Sequence, residues 1–292
     1  MPRVEAPSFA GPNAEQIRYW NEAAGETWAA REDALDQVIA PIGERVLALA
    51  NAMPGESVVD VGCGCGATTV ELARQVGPTG AVLGVDVSRP MLERALARAK
   101  ACALTNTSFV LADAQTAELG REGFDLLFSR FGVMFFADPT AAFANLRRAL
   151  RSGGRIAFVC WQPIQRNPWM LVPALAIARH VPVSPPDPNA PGPFAFADPE
   201  RVSAVLSRAN FGAVAIDGVE MSLALGGGDP DRAVEFALEI GPGAAALRAS
   251  GAGTELRARA ADEVRKALRP FTQNGTLKMP AAIWLVRARS PA

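Results

Sequence analysis

A chain of 292 residues is long enough to bury a full-sized core as one large α/β domain, with or without insertions. The formal charge is −1 and no block of like charge occurs, so there is no electrostatic footprint for a nucleic-acid backbone or an anionic membrane surface, and small-molecule chemistry is the default. The four cysteines, Cys63, Cys65, Cys102 and Cys160, lack the paired spacing of a structural zinc site, no metal site is expected, and no run of about 18 apolar residues predicts a membrane span.

The residues before Gly11 hold no apolar run of signal-peptide type, and a reducing, cytoplasmic setting is expected. From 12 to 52, Tyr19, Trp20, Trp28, Leu35, Val38, Ile39, Ile42 and Val46 recur at helical spacing, predicting an N-terminal helical segment. Met53-Pro54-Gly55-Glu56 punctuates the chain, and apolar strands then alternate with helices. Strands are predicted at 57–61, 81–85, 107–111, 124–128 and 155–161. Helices are predicted at 68–76, at 89–102 with Ser88 as N-cap, and at 139–150 with Asp138 as N-cap. The rhythm breaks at 162–197, a segment rich in proline (Pro182, Pro185, Pro186, Pro188, Pro191, Pro193) around one short helix at 169–180. It resumes with a helix at 200–209 and a strand near 214–223, is interrupted by an alanine-rich helical stretch at 229–269, and closes on a strand at 281–289. The fold class this predicts is α/β: a doubly wound, mostly parallel seven-stranded sheet with N-terminal helices and two helical insertions acting as a lid. The whole of 1–292 forms one domain with its cofactor-binding core at 57–161.

Val58-Val59-Asp60-Val61 runs into Gly62-Cys63-Gly64-Cys65-Gly66, a strand, a glycine turn and the start of a helix. Glycines at alternate positions leave backbone bare for a ligand to approach. Gly62-x-Gly64-x-x-Ala67, with Asp86 about 20 residues on, satisfies a dinucleotide fingerprint, so an NAD-dependent oxidoreductase is one reading. Against it, Asp60 places a carboxylate where a pyrophosphate would sit, and a ligand carrying a cationic amine suits that position better. A non-catalytic scaffold that keeps the fold is a further reading.

The same residues resemble class I S-adenosylmethionine-dependent methyltransferases. Val58 to Gly66 is similar to the family's first motif, and Gly84-Val85-Asp86-Val87-Ser88 with Met91-Leu92 to the second. Ala112-Asp113-Ala114, Phe124-Asp125-Leu126-Leu127-Phe128-Ser129 and Leu150-Arg151-Ser152-Gly153-Gly154-Arg155-Ile156 follow in the family's order. The resemblance covers 57–161 and is closest to the branch of quinone-biosynthesis C-methyltransferases and related small-molecule enzymes. It implies S-adenosyl-L-methionine as cofactor, with S-adenosyl-L-homocysteine as product, and a methyl group passed to a small-molecule acceptor by in-line displacement. By the same resemblance Gly62, Gly64 and Ser129 lie beside the methionine part, Asp60 near its amino group, Asp86 on the ribose diol, Met91 on the adenine, and Asp113 and Ala114 at the adenine edge.

No residue is assigned as catalytic, because a sulfonium-activated methyl requires alignment more than a base. Tyr19, Trp20, Trp28, Phe131, Trp161 and His180, the single histidine, are candidates for the wall of an at least partly apolar acceptor pocket. Arg130 either meets an anionic acceptor or caps the sheet edge. Cys63 and Cys65 read as small side chains suited to a tight turn.

Overall fold

The computed structural model describes residues 11–182 and 187–291; 1–10 and the prolines Pro185 and Pro186 lie outside the described residues. Three helices come first, α1 (Ala14–Asn21), α2 (Ala23–Ala30) and α3 (Glu32–Ala50), followed by β1 (Ser57–Val61) and α4 (Ala67–Val76). The alternation continues with β2 (Ala81–Asp86), α5 (Arg89–Ala101), β3 (Thr107–Leu111), β4 (Phe124–Arg130), α6 (Pro139–Ala149) and β5 (Leu150–Trp161). Beyond β5 come α7 (Pro168–Ile177), α8 (Pro199–Arg208), β6 (Gly212–Leu223), α9 (Pro230–Glu239), α10 (Pro242–Ala249) and α11 (Thr254–Leu268). A two-stranded hairpin, β7 (Thr272–Gln273) and β8 (Thr276–Leu277), leads into β9 (Met279–Arg289).

Seven strands form one sheet in the order β3-β2-β1-β4-β5-β9-β6. Neighbours from β3 to β5 are parallel, whereas β9 runs antiparallel to both β5 and β6. Between β2 and β4, β1 is a nearly continuous apolar run with Val58 and Val59 fully buried, as expected of a parallel strand covered on both faces. Helices α3, α4 and α5 pack in series on one face of the sheet, and α6 and α8 pack together. The order of β1 and β4 at the centre creates the crevice at their carboxyl ends where doubly wound folds bind ligands.

The starts of α6, α8 and α9 follow side-chain capping chemistry. Asp138 accepts a hydrogen bond from Ala141 N (2.9 Å), and Asp229 accepts from Asp231 N (2.9 Å) and Arg232 N (3.1 Å), each ahead of a proline suited to a helix's first turn. Ser88 occupies the N-cap position of α5, but its hydroxyl donates to Trp20 O (2.6 Å) and caps nothing. The insertion helices α7, α9, α10 and α11 pack on one another, with Trp169, Met170, Phe236 and Leu247 buried among them. Among the described residues no helix is long and apolar enough to cross a membrane.

Candidate active site

A cleft enclosing about 690 Å³, mouth included, opens at the carboxyl ends of β1, β2, β3 and β4. Its floor is the glycine turn after β1, where Gly62, Gly64 and Gly66 all have left-handed φ (67°, 55° and 79°), a conformation that favours glycine. The missing side chains serve mainly to let protein approach protein. A Cβ on Gly62 would lie 2.5 Å from Gly132 Cα, one on Gly64 would lie 2.9 Å from Met91 Cε, and one on Gly66 would lie 2.9 Å from Ala95 Cβ. Of the three, only Gly62 also lines the cleft.

Asp86 locks this turn to the end of β2. Its Oδ2 accepts from Gly64 N (2.8 Å) and its Oδ1 from Ser88 N (2.8 Å) while the side chain still faces the cleft. Burial pushes its carboxyl above the usual carboxylate range, and the backbone N–H groups of Ser88, Gly64 and Val87 pull it back. Asp86 thus orders the loop and lines the cleft at once. Each carboxylate oxygen has a second lone pair, so acceptor capacity for a pair of hydroxyls remains.

Asp60 is fully buried beneath the turn. Its Oδ2 accepts from Thr68 Oγ1 (2.9 Å) and Thr69 Oγ1 (2.7 Å), and its Oδ1 has no partner. Burial raises its carboxyl to about 6, against a lowering by the two threonine hydroxyls and by Arg130. An unpartnered buried carboxylate oxygen is costly unless something positive meets it, which fits a ligand ammonium and not a pyrophosphate.

At the adenine end implied by the resemblance, Asp113 Oδ1 accepts from Gln115 N (2.9 Å) and Asn13 Nδ2 (3.3 Å), and Asp113, Ala114 and Met91 line the cleft. Burial likewise raises Asp113, with those two donors opposing it. Three expected cofactor contacts stand differently: Asp60, Gly64 and Ser129 lie behind the lining. The Ser129 hydroxyl donates to Val61 O (2.7 Å) and accepts from Val133 N (3.3 Å), stitching β1 to the turn after β4.

The roof comes from the N-terminal helices, which contribute Asn13, Gln16, Trp20 and Trp28 to the lining. Asn21 Nδ2 donates to Val87 O (2.7 Å), Asn21 Oδ1 accepts from Arg89 N (3.0 Å), and Asn13 Oδ1 accepts from Ala137 N (3.2 Å). No described residue of 162–197 or 229–269 lines the cleft, so among the described residues the cover is the α1–α2 strap, where the sequence reading placed a lid in the insertions. That strap carried no motif; its signal was the apolar spacing around Trp20 and Trp28.

Of the candidate acceptor residues, Trp20, Trp28 and Phe131 line the cleft, joined by Phe135 and Phe136. Trp20 meets Trp28 (5.3 Å) and Phe135 (5.1 Å) edge to face. Phe131 holds a left-handed φ of 71° and stacks on Trp161 at 4.3 Å, which in turn meets Trp169 at 5.1 Å. Such backbone strain in a bulky residue persists only where the surroundings enforce it. Trp161 therefore backs Phe131 without reaching the cleft, and Tyr19 is 40% exposed on the outer side of Trp20. His180 lies just beyond the end of α7, away from the cleft and half-buried, with Nε2 shielded and without a partner. Burial pushes the Cys65 thiol up to about 12 and Cys63 well above the ordinary thiol range, so neither is a poised nucleophile.

Residues 58–154 match the methyltransferase domain family. Aklanonic acid methyltransferase of a Streptomyces species is 37% identical over 118 residues, 40% of this chain and 54% of that protein. Nocamycin O-methyltransferase of Saccharothrix syringae is 33% identical over 174 residues, 59% of this chain and 60% of that protein. The chain thus spans little more than half the length of these curated relatives. Among solved structures, Haemonchus contortus phosphoethanolamine N-methyltransferase 2 in complex with S-adenosyl-L-methionine superposes with a TM-score of 0.58 at 15% identity, covering 98% of this chain and 61% of that one. The strand order, the reversed β9 and these likenesses define a Rossmann-like methyltransferase fold, and the segment that matches the methyltransferase domain family, 58–154, spans β1 to β5 within it.

Proposed function

We propose that the chain transfers a methyl group from S-adenosyl-L-methionine to a small-molecule acceptor, leaving S-adenosyl-L-homocysteine. The observation that carries this reading is the row of carboxylates at the ends of three adjacent strands: Asp113 and Asp86 lining one cleft, and Asp60 with an unpartnered oxygen under its floor. A ribose diol is held through the spare lone pairs of Asp86, and an adenine lies between Met91 and the Asp113-Ala114 edge. A cationic amine near Gly62 is met by Asp60. The cofactor supplies a methyl already activated for displacement by its sulfonium. The protein's part is alignment and exclusion of water, and alignment alone is worth about 7–11 kcal/mol.

The aromatic wall of Trp20, Trp28, Phe131, Phe135 and Phe136 favours an acceptor that is at least partly apolar. The named relatives act on small molecules by their descriptions, which supports the same class here. Four free cysteines, two of them buried, suit a reducing cytoplasmic setting. Calorimetric titration tests the reading: S-adenosylhomocysteine binds one site per chain and NAD does not. Binding of NAD alone would transfer the cleft to the oxidoreductase reading, and binding of neither would leave a scaffold.

A further inference from the structure

Helix α5 begins with two backbone donors that a side chain can cap. They are Arg89 N and Met91 N, on either side of Pro90, which has no N–H. A serine at the N-cap position ordinarily accepts from the donor three residues on, here Met91 N. Ser88 has the extended backbone of such a cap (φ −92°, ψ 111°), yet its hydroxyl is turned away to Trp20 O (2.6 Å), and Met91 N has no acceptor among the described residues. The cap comes instead from the strap. Asn21 Oδ1 accepts from Arg89 N (3.0 Å) while Asn21 Nδ2 donates to Val87 O (2.7 Å).

The crossing of strap and helix start is closely fitted. Gly25 of α2 lies against the Ser88–Trp20 hydrogen bond, where a Cβ would fall 1.9 Å from Trp20 O and 2.8 Å from Ser88 Oγ, so only glycine fits. Apolar burial anchors the strap weakly, Ile17 being the one large side chain that α1 and α2 bury. Its position therefore depends on these polar ties. Ser88 also donates its N–H to Asp86 Oδ1 (2.8 Å), which places the tie beside a carboxylate of the cleft.

We propose that α5 exchanges caps as the strap moves: Asn21 caps Arg89 N when the strap lies on the cleft, and Ser88 turns back to cap Met91 N when the strap lifts. Because α5 is capped in both positions, the two lie close in free energy, and a ligand beneath Trp20 and Trp28 decides between them. The exchange governs access to the cleft whichever ligand the cleft takes.

Amide hydrogen exchange followed by NMR on the ligand-free protein tests it, with two substitutions that dislodge the strap by different routes. Asn21→Ala removes the strap's cap, and Gly25→Ala drives Trp20 O away from Ser88. In each variant Met91 N–H should exchange about fivefold more slowly than in the unsubstituted protein, the worth of one cap, and adding Ser88→Ala should abolish the slowing. Met91 exchange unchanged in either folded variant, or slowed equally with Ser88→Ala present, overturns the proposal. Saturating S-adenosylhomocysteine should act in the opposite sense on the unsubstituted protein, slowing Arg89 N–H. Bound S-adenosylhomocysteine with no effect on Arg89 N–H would also overturn it. Failure of S-adenosylhomocysteine to bind would overturn the methyl-donor reading and leave the Met91 result standing.

Discussion

The two halves of this molecule solve different problems. In the half built from β1 to β4 and the N-terminal helices, polar groups are aimed at one cleft, and some are left deliberately unmatched, such as Asp60 Oδ1. In the half built from α7 and α9 to α11, apolar side chains fill the space between helices and none reaches the cleft. Binding chemistry therefore resides in backbone turns and strand-end carboxylates, and the insertions contribute bulk, with Trp169 of α7 packing behind the Trp161 that backs Phe131.

The sharpest way to break this contrast is at the glycine turn. Gly62→Val combines a left-handed φ with a Cβ driven into Gly132, and should cost on the order of 4 kcal/mol in urea unfolding while abolishing cofactor binding. Next is Phe236→Ala in α9, which empties a buried ring position and should cost about 3 kcal/mol, yet leave S-adenosylhomocysteine affinity unchanged in the folded protein. A large affinity loss there would mean that the insertions shape the cofactor site.

Asp60 makes a pH prediction. Its folded carboxyl titrates at about 6 against 3.8 ordinarily, so the unfolded chain ionises first as pH rises. The site's stabilising contribution is complete below about pH 4 and is lost as pH rises through about 6. A cationic ligand reverses the preference by favouring the carboxylate. S-adenosylhomocysteine affinity should therefore rise with pH through about 6, and Asp60→Asn should flatten that rise. A smaller effect is expected at the strap: Asn21→Ala removes hydrogen bonds to Ile17 O, Val87 O and Arg89 N. It should cost about 1–2 kcal/mol and speed cofactor release, measured by stopped flow.

Much of this was legible in the residues. The predicted bounds of β1 and β3 match because both runs are β-rich and punctuated, and Asp86, Asp113 and Gly62 fall on one cleft because strand-end positions in a doubly wound sheet converge. β4 and β5 proved longer than their apolar runs, since pairing continues through Arg130 and from Leu150 where composition turns polar. The cover was misplaced: prolines and glycines mark loops but not what they lie over, and the strap is tied by Asn13 and Asn21, whose partners are distant in sequence. The partner of the Ser129 hydroxyl was hidden for a related reason, being Val61 O on the neighbouring strand.

The central claim is that strand-end carboxylates read the methyl donor, and Asp86→Ala tests it most directly by calorimetric titration with S-adenosylhomocysteine. The account predicts about a tenfold or greater loss of affinity, because both the ribose contact and the Gly64 anchor disappear. Unchanged affinity in a folded Asp86→Ala protein would contradict it.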